Sequence, residues 1–303
     1  MTTPSVNSYR GVLYVLLAAF FWGISGTVAQ FLFSQNIKVM QVVQTRSTFA
    51  FLFFLLVLAV VRPVSLKPDF KKIGWYLAAG IIGVGFSNFT YYYTINVSSV
   101  GTAIILQYTA PVIVMVYGIL SRDEQASWMK WAALAVSLAG CILAVGAGSS
   151  DLLNAGPLAV TIGIASAFCF AAMGVIGRQL NRHSGSDLWQ NLVYTMMFAA
   201  LFWAILQPPT DWPSWNLTPS DWGILGVFSL ISVVLPYLFF YLGLKFLPPS
   251  TVLIISTFEP VTAIISAWIF LGEAMSGIQI VGAGFVISAI VILGIENRQA
   301  SRG

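Results

Sequence analysis

Charge is what this sequence has least of. Aspartate, glutamate, lysine and arginine make up 8% of its 303 residues, against roughly a quarter in a soluble domain. So little charge excludes a water-soluble globular protein and leaves a chain whose solvent is mostly lipid. There is one histidine, His183, and there are two cysteines, Cys141 and Cys169, both inside apolar runs. That excludes a disulfide framework and points to no metal site. The two thiols read as small buried hydrophobes. No Walker-type phosphate loop is present, so the chain is not expected to hydrolyse ATP, and no cofactor is implied. The first apolar run lacks a small-x-small cleavage site, so no removable leader is expected.

Apolar residues fill the space that charge leaves. Hydrophobic residues make up 58% of the chain, and they fall into ten runs. These lie at roughly 10–33, 40–61, 73–95, 100–120, 128–147, 156–177, 188–207, 222–245, 250–271 and 277–295. The pattern predicts an all-α polytopic membrane protein of ten transmembrane helices. Connections are too short for a soluble domain. The longest is QPPTDWPSWNLTPSD, Gln207 to Asp221. Its prolines and tryptophans suit a loop resting on the membrane interface, and Thr218-Pro219-Ser220-Asp221 reads as a helix start.

The chain repeats itself. Gly101–Glu124, GTAIILQYTAPVIVMVYGILSRDE, falls on Ser250–Glu273, STVLIISTFEPVTAIISAWIFLGE, when shifted by 149 positions. Thr102 then meets Thr251, Ile105 meets Ile254, Pro111 meets Pro260, and Glu124 meets Glu273. Upstream, Tyr92 meets Tyr241. Gly26 meets Gly174 at an offset of 148. This divides the chain into halves, 1–148 and 149–303, of five spans each. Five is odd, so the two halves insert in opposite directions. Inverted repeats of this kind build alternating-access transporters, whose site lies near the midplane between the halves.

Lysine and arginine set the orientation. With the N-terminus in the cytoplasm, Arg10, Arg62, Lys67, Lys71, Lys72, Arg122, Lys130, Arg178, Arg182, Lys245, Arg298 and Arg302 lie inside and only Lys38 lies outside. Both termini are therefore expected in the cytoplasm, in the cell membrane. The net charge of +4 belongs to these short loops and predicts no nucleic-acid partner. His183 falls in one of them and reads as solvated. The triplets at Asn88, Asn96 and Asn216 match a glycosylation pattern that arises readily by chance.

Several of these residues carry a family resemblance. They are Phe21-Trp22-Gly23 in the first run, Gln107-Tyr108-Thr109-Ala110-Pro111 and Glu124 in and after the fourth, and Glu259-Pro260 with Leu271-Gly272-Glu273 in the ninth. The pattern resembles the drug/metabolite transporter superfamily, and within it the ten-span EamA-type members. The resemblance covers nearly the whole chain. It implies an inverted five-plus-five fold in which spans one to four and six to nine enclose a central cavity, with spans five and ten peripheral. It implies small-molecule cargo such as amino acids, nucleobases, sugars, quaternary amines or drugs, commonly carried outward.

Within that frame, Glu259 is the leading site candidate. It lies about ten residues into its span, ~14 Å deep at ~1.5 Å per residue. An acid so placed is costly and marks a functional site by default. It would bind a cationic group of the cargo or exchange a proton, which makes the proton a candidate coupling ion. Arg46, in Gln44-Thr45-Arg46-Ser47-Thr48, would capture a carboxylate or serve as a structural or interface anchor. As the other deep charge, it is also a candidate partner for Glu259 in the empty state. Asn88, Tyr91 and Tyr92 share one helix face by their i, i+3, i+4 spacing, and Tyr93 points elsewhere. With Trp22, Gln107, Tyr108 and Phe170 they would line an aromatic substrate-binding cavity suited to rings or to an ammonium. Pro111 and Pro260 are expected to break their helices at equivalent places, and Gly23 and Gly26 to allow close approach or bending of span one. Glu124 and Glu273 read as loop acids with capping or interface roles. Gly277, Gly282 and Gly284 in the tenth run permit a close helix–helix contact, and the number of subunits is left open.

Two functions remain. One is a secondary transporter that exports amino acids or related compounds, with Glu259 and Arg46 complementing a zwitterion. The other is an organic-cation or multidrug exporter that uses Glu259 and the aromatics alone. An intramembrane enzyme is disfavoured, because no paired catalytic groups lie at depth. A receptor would not need the inverted repeat.

Overall fold

The computed structural model describes residues 4–61, 63–125, 127–145, 155–182, 187–272 and 274–300. Every regular element among the described residues is helical. A bilayer offers backbone groups no partner, so helices, which bond within themselves, are one of its two solutions. Span one is Pro4–Ser34, span two Val39–Val61, span three Phe70–Val97 and span four Val100–Leu120. Span five is Trp128–Ala144, span six Pro157–Arg182 and span seven Leu188–Leu206. Span eight is Pro219–Phe246, span nine covers 249–271 and span ten is Gly277–Ala300. Nine of these are long and apolar enough to cross a membrane, and span five, of 17 residues, is a shorter apolar helix.

The helices overrun the apolar runs at several ends. Span one starts early, at Pro4, and spans six and ten continue to Arg182 and Ala300. Helical bonding does not stop where hydrophobicity stops. Span eight starts on Thr218, whose side chain accepts from Asp221 N while Asp221 bonds back to Thr218, a capping box. The long loop before it contains a 3-10 helix, Pro209–Trp215, and Trp212, Trp215 and Trp222 stack with ring centroids 5.2–6.0 Å apart. Arg62, His183, Glu273, Arg302 and the junction at 148–149 lie outside the described residues, as does the side chain of Arg298.

The repeat recurs in the irregularities of the fold. Span four breaks between Gln107 and Ala110. Span nine breaks between Ser256 and Glu259, each position 149 residues on. Span three contains a π-helical stretch, Ala79–Phe86, and span eight one at Leu230–Val234, which the same shift sets on 81–85. Packing follows a pseudo-two-fold exchange. Span one packs on spans eight and nine, while its counterpart, span six, packs on spans three and four. Span two packs on seven, and five on ten.

Spans five and ten form an outer pair. Span ten is the least buried of the nine long apolar helices, with 22% of its most apolar stretch covered. Their contact runs through Gly282, where an added Cβ would stand 2.3 Å from Ala144 N and 2.7 Å from Leu143 C. Near Gly277 and Gly284 there is nothing within 4 Å, so of the three glycines only Gly282 is spent on this contact. Gly282→Val is expected to part the pair and cost about 1–3 kcal/mol of overpacking. Gly284→Val is expected to cost little. Thermal melting of the two variants in detergent checks this, and equal losses would contradict the assigned contact.

Candidate functional site

The site is built around the break in span nine. Pro260 has no N–H, so it cannot bond the carbonyl four residues back, that of Ser256. The turn tightens instead: Thr257 N bonds Ile254 O at 3.2 Å and Phe258 N bonds Ile255 O at 3.0 Å. The freed Ser256 carbonyl is met by the Tyr108 hydroxyl at 2.7 Å. Tyr108 itself sits in the break of span four, beside Pro111. The two breaks therefore touch, and the prolines sit in the first turns of the half-helices that follow.

Glu259 opens the second half of span nine and is 4% exposed. Its Oε1 lies 2.9 Å from the Tyr91 hydroxyl and its Oε2 lies 2.7 Å from the Tyr108 hydroxyl. It borders a cavity of about 30 Å³ lined by Trp22, Ser25, Ser87, Asn88, Tyr91, Tyr92, Gln107, Phe170, Met173, Tyr237 and Glu259. That is room for about one or two waters. The lining comes from spans one, three, four, six, eight and nine. Spans two and seven contribute none of it.

Most of the expected residues meet here. Trp22 packs edge-on against Phe170 at 5.7 Å and Tyr237 at 5.8 Å, and Phe170 against Tyr108 at 5.9 Å. Gln107 donates to Ser166 Oγ at 2.8 Å. Asn88 donates to Val84 O and to the Tyr237 hydroxyl. Tyr92 lies with its hydroxyl 3.4 Å from Ser25 Oγ. Tyr93 turns away to Phe89. Sequence reasoning passed over Ser25, Ser87, Met173 and Tyr237. Tyr237 was within reach, because it stands 149 positions after Asn88, the residue it bonds. The Ser256 carbonyl was not, since a backbone acceptor shows only through the proline that orphans it.

Arg46 lies apart from Glu259. It does not pair with Glu259, whose oxygens are taken by two tyrosines. It lies behind Tyr92, outside the cavity lining, and is 1% exposed. Its Nε donates to Ser232 Oγ and its Nη2 to Ser232 O, both at 2.8 Å, with Nη1 at 3.5 Å from Asn88 Oδ1. The rings of Tyr92 and Phe228 cover the guanidinium, their centroids 4.4 and 5.0 Å from Cζ. Here too a proline stands close by, in a stretch that is π-helical, with Leu235 N bonding Leu230 O. Pro236 lies four residues beyond Ser232 and cannot serve its carbonyl, and the planar fork of Arg46 does so instead.

One end of the bundle is tied shut around span nine. Glu124 accepts from Ser250 N at 3.2 Å, from Ser250 Oγ and from Lys130 Nζ at 3.4 Å. A carboxylate at a helix N-terminus is favourably placed. Arg182 reaches Asp123 at 3.0 Å. Beyond Pro260, toward the opposite end, lies a crevice of about 180 Å³ bordered by Thr27, Gln30, Gly101 and Ala263.

Comparison with known proteins places this geometry. The model of the EamA-like transporter family matches residues 9–146 and again 157–295. The inner membrane transporter YicL of Salmonella typhimurium is 25% identical over 98% of this chain and 99% of its own. The threonine/homoserine exporter RhtA of Escherichia coli K12 is 25% identical over 73% of this chain and 71% of its own. One solved crystal structure superposes with a TM-score of 0.72 over 99% of both chains at 16% identity, which is a likeness of fold.

Span one reaches the site through Gly23. An added Cβ there would stand 1.9 Å from Thr262 Oγ1 and 2.6 Å from Glu259 O. At Gly26 the nearest atom would be 3.5 Å away. Gly23→Ala is therefore expected to lower the melting temperature, at a cost of about 1–3 kcal/mol, and Gly26→Ala to be tolerated. Equal melting of the two would show that Gly23 is not a close-approach position.

Proposed function

The chain belongs to the EamA-like transporter family, and on that premise we propose that it is a secondary carrier exporting amino acids or closely related zwitterions. The observation that carries this reading is Glu259, a buried acid on a cavity at the meeting of two broken helices. The cargo's ammonium group faces Glu259 and the wall of Trp22, Phe170 and Tyr237. Its carboxylate faces the amides of Asn88 and Gln107, with the Arg46 charge behind Asn88. RhtA, a relative over most of the chain, supports amino acids as the cargo class.

A cavity of about 30 Å³ holds no amino acid, so the cargo enters when the halves part. The units that move are 1–148 and 149–303, and the breaks at 107–110 and 256–259 serve as hinges. Both termini lie in the cytoplasm, on the excess of lysine and arginine in the loops of that side. The Glu124 tie then closes the cytoplasmic end, and the crevice beyond Pro260 faces outward. The gradient of the cargo, with or without a proton, supplies the energy, and the chain carries out no enzymatic step.

A second reading, export of organic cations, is favoured by one observation: the lining holds an acid and aromatic rings but no cation. Efflux from loaded proteoliposomes separates the two. Threonine efflux is expected, with Glu259→Gln lowering it about tenfold or more, the weight of a lost bond to a charged group. Efflux of quaternary amines in place of threonine would move the assignment to the second reading. Threonine efflux that ignores Glu259→Gln at every pH would remove Glu259 from the mechanism.

A further inference from the structure

We propose that Glu259 binds a proton in this closed form, and that Tyr108 passes the gain or loss of that proton to the break in span nine. The proposal rests on the reading of Glu259 as a cargo-facing acid only in that both use the same carboxyl group. It follows from counting hydrogens. The Tyr108 hydroxyl stands 2.7 Å from Ser256 O and 2.7 Å from Glu259 Oε2, both ordinary O–H···O distances. A hydroxyl has one hydrogen to give, and a carbonyl and a carboxylate only accept. Both contacts are hydrogen bonds if a second hydrogen sits on Glu259 Oε2. The chain then runs Glu259 Oε2–H to Tyr108 Oη, and Tyr108 O–H to Ser256 O. Tyr91 completes the acid by donating to Oε1 at 2.9 Å.

The surroundings agree. The groups that titrate or carry charge around Glu259 are Tyr91 and Tyr92 of span three, Tyr108 of span four, Cys141 of span five, Tyr237 of span eight and Arg46 of span two. Cys141 Sγ lies 3.8 Å from Thr257 O. Spans one and six bring Trp22, Ser25, Phe170 and Met173 to the cavity, none of which titrates. Arg46, the one cation among these groups, is bonded to Ser232 and covered by two rings. A buried anion without a counter-ion is costly, and a neutral acid with its hydrogen bonds made is not.

Loss of the proton reverses the chain. The Oε2–H bond breaks and the proton passes to water entering the cavity. The Tyr108 hydroxyl turns to the carboxylate, and the Ser256 carbonyl, with no N–H on Pro260, is left bare. Ser256 ends a half-helix, Pro249–Ser256, whose every residue is buried and whose other end is held by Glu124. A bare carbonyl there favours movement of that half-helix. Tyr108 is thus a positioning residue that ties the charge of the site to the backbone of span nine.

Infrared spectroscopy of the full chain in lipid vesicles tests this without any cargo. At neutral pH a protonated-carboxyl band is expected that Glu259→Gln removes and Glu124→Gln leaves. Raising the pH is expected to exchange it for a carboxylate band. Tyr108→Phe is expected to move the band, because the acid proton loses its acceptor. Should Glu259→Gln not fold, Glu259→Asp keeps the acid and must shift the same band. Absence of any Glu259-dependent band at neutral pH overturns the proposal. A band that Tyr108→Phe leaves in place overturns the relay. Either result leaves the cargo assignment to the efflux measurements.

Discussion

A bilayer lends no hydrogen to a carbonyl, and prolines inside the spans leave carbonyls without their own. Pro236 and Pro260 each stand four residues beyond an acceptor they cannot serve, Ser232 and Ser256. The partners are side chains of the other half: Arg46 Nη2 at 2.8 Å and the Tyr108 hydroxyl at 2.7 Å. Each orphaned carbonyl is thus a bond between halves. It is specific in a way that apolar packing in lipid is not, since lipid tails compete equally for apolar side chains. The two bonds flank the cavity, and the acid at its edge shares the Tyr108 hydroxyl with one of them.

That sharing links local backbone chemistry to a carrier's requirement for two arrangements of the same parts. The half-helix Pro249–Ser256 is buried throughout. It is held at its start by Glu124 and at its end by Tyr108, and both holders come from the first half. Glu259 and Ser256 meet through one shared hydroxyl, that of Tyr108. A rigid element pinned at both ends shifts as a unit rather than bending, as bistable packed interfaces do. The second half of span nine, entered through the break, has span one against it at Gly23.

Much of this was legible in the residues. The 149-residue shift aligned Pro111 with Pro260, and the structure puts helix breaks at both. The paired π-helical stretches, Ala79–Phe86 and Leu230–Val234, obey the same shift but carry no hydrophobic signature and were not read. Glu259 stood out because an acid in an apolar run is rare, and Asn88, Tyr91 and Tyr92 because their spacing sets them on one face. The pair of Arg46 with Glu259 failed to form for a physical reason. Two opposite charges at similar depth suggest a pair, but Arg46 is bonded instead to the Ser232 carbonyl, which Pro236 cannot serve. Side-chain letters do not display backbone debts. They do display prolines, and counting four residues back from each proline in a span finds the acceptor that needs a partner.

Tyr108 substitutes for the hydrogen that Pro260 lacks, and a double-mutant cycle measures that directly. In the native background Tyr108→Phe leaves the Ser256 carbonyl bare, at a cost of about 1–3 kcal/mol. In the Pro260→Ala background the main chain regains its own donor, so the same Tyr108→Phe should cost measurably less, with a coupling of about 0.5 kcal/mol or more. Equal costs in the two backgrounds would mean that the hydroxyl does not stand in for the missing N–H, and the link between the acid and the broken helix would be lost with it.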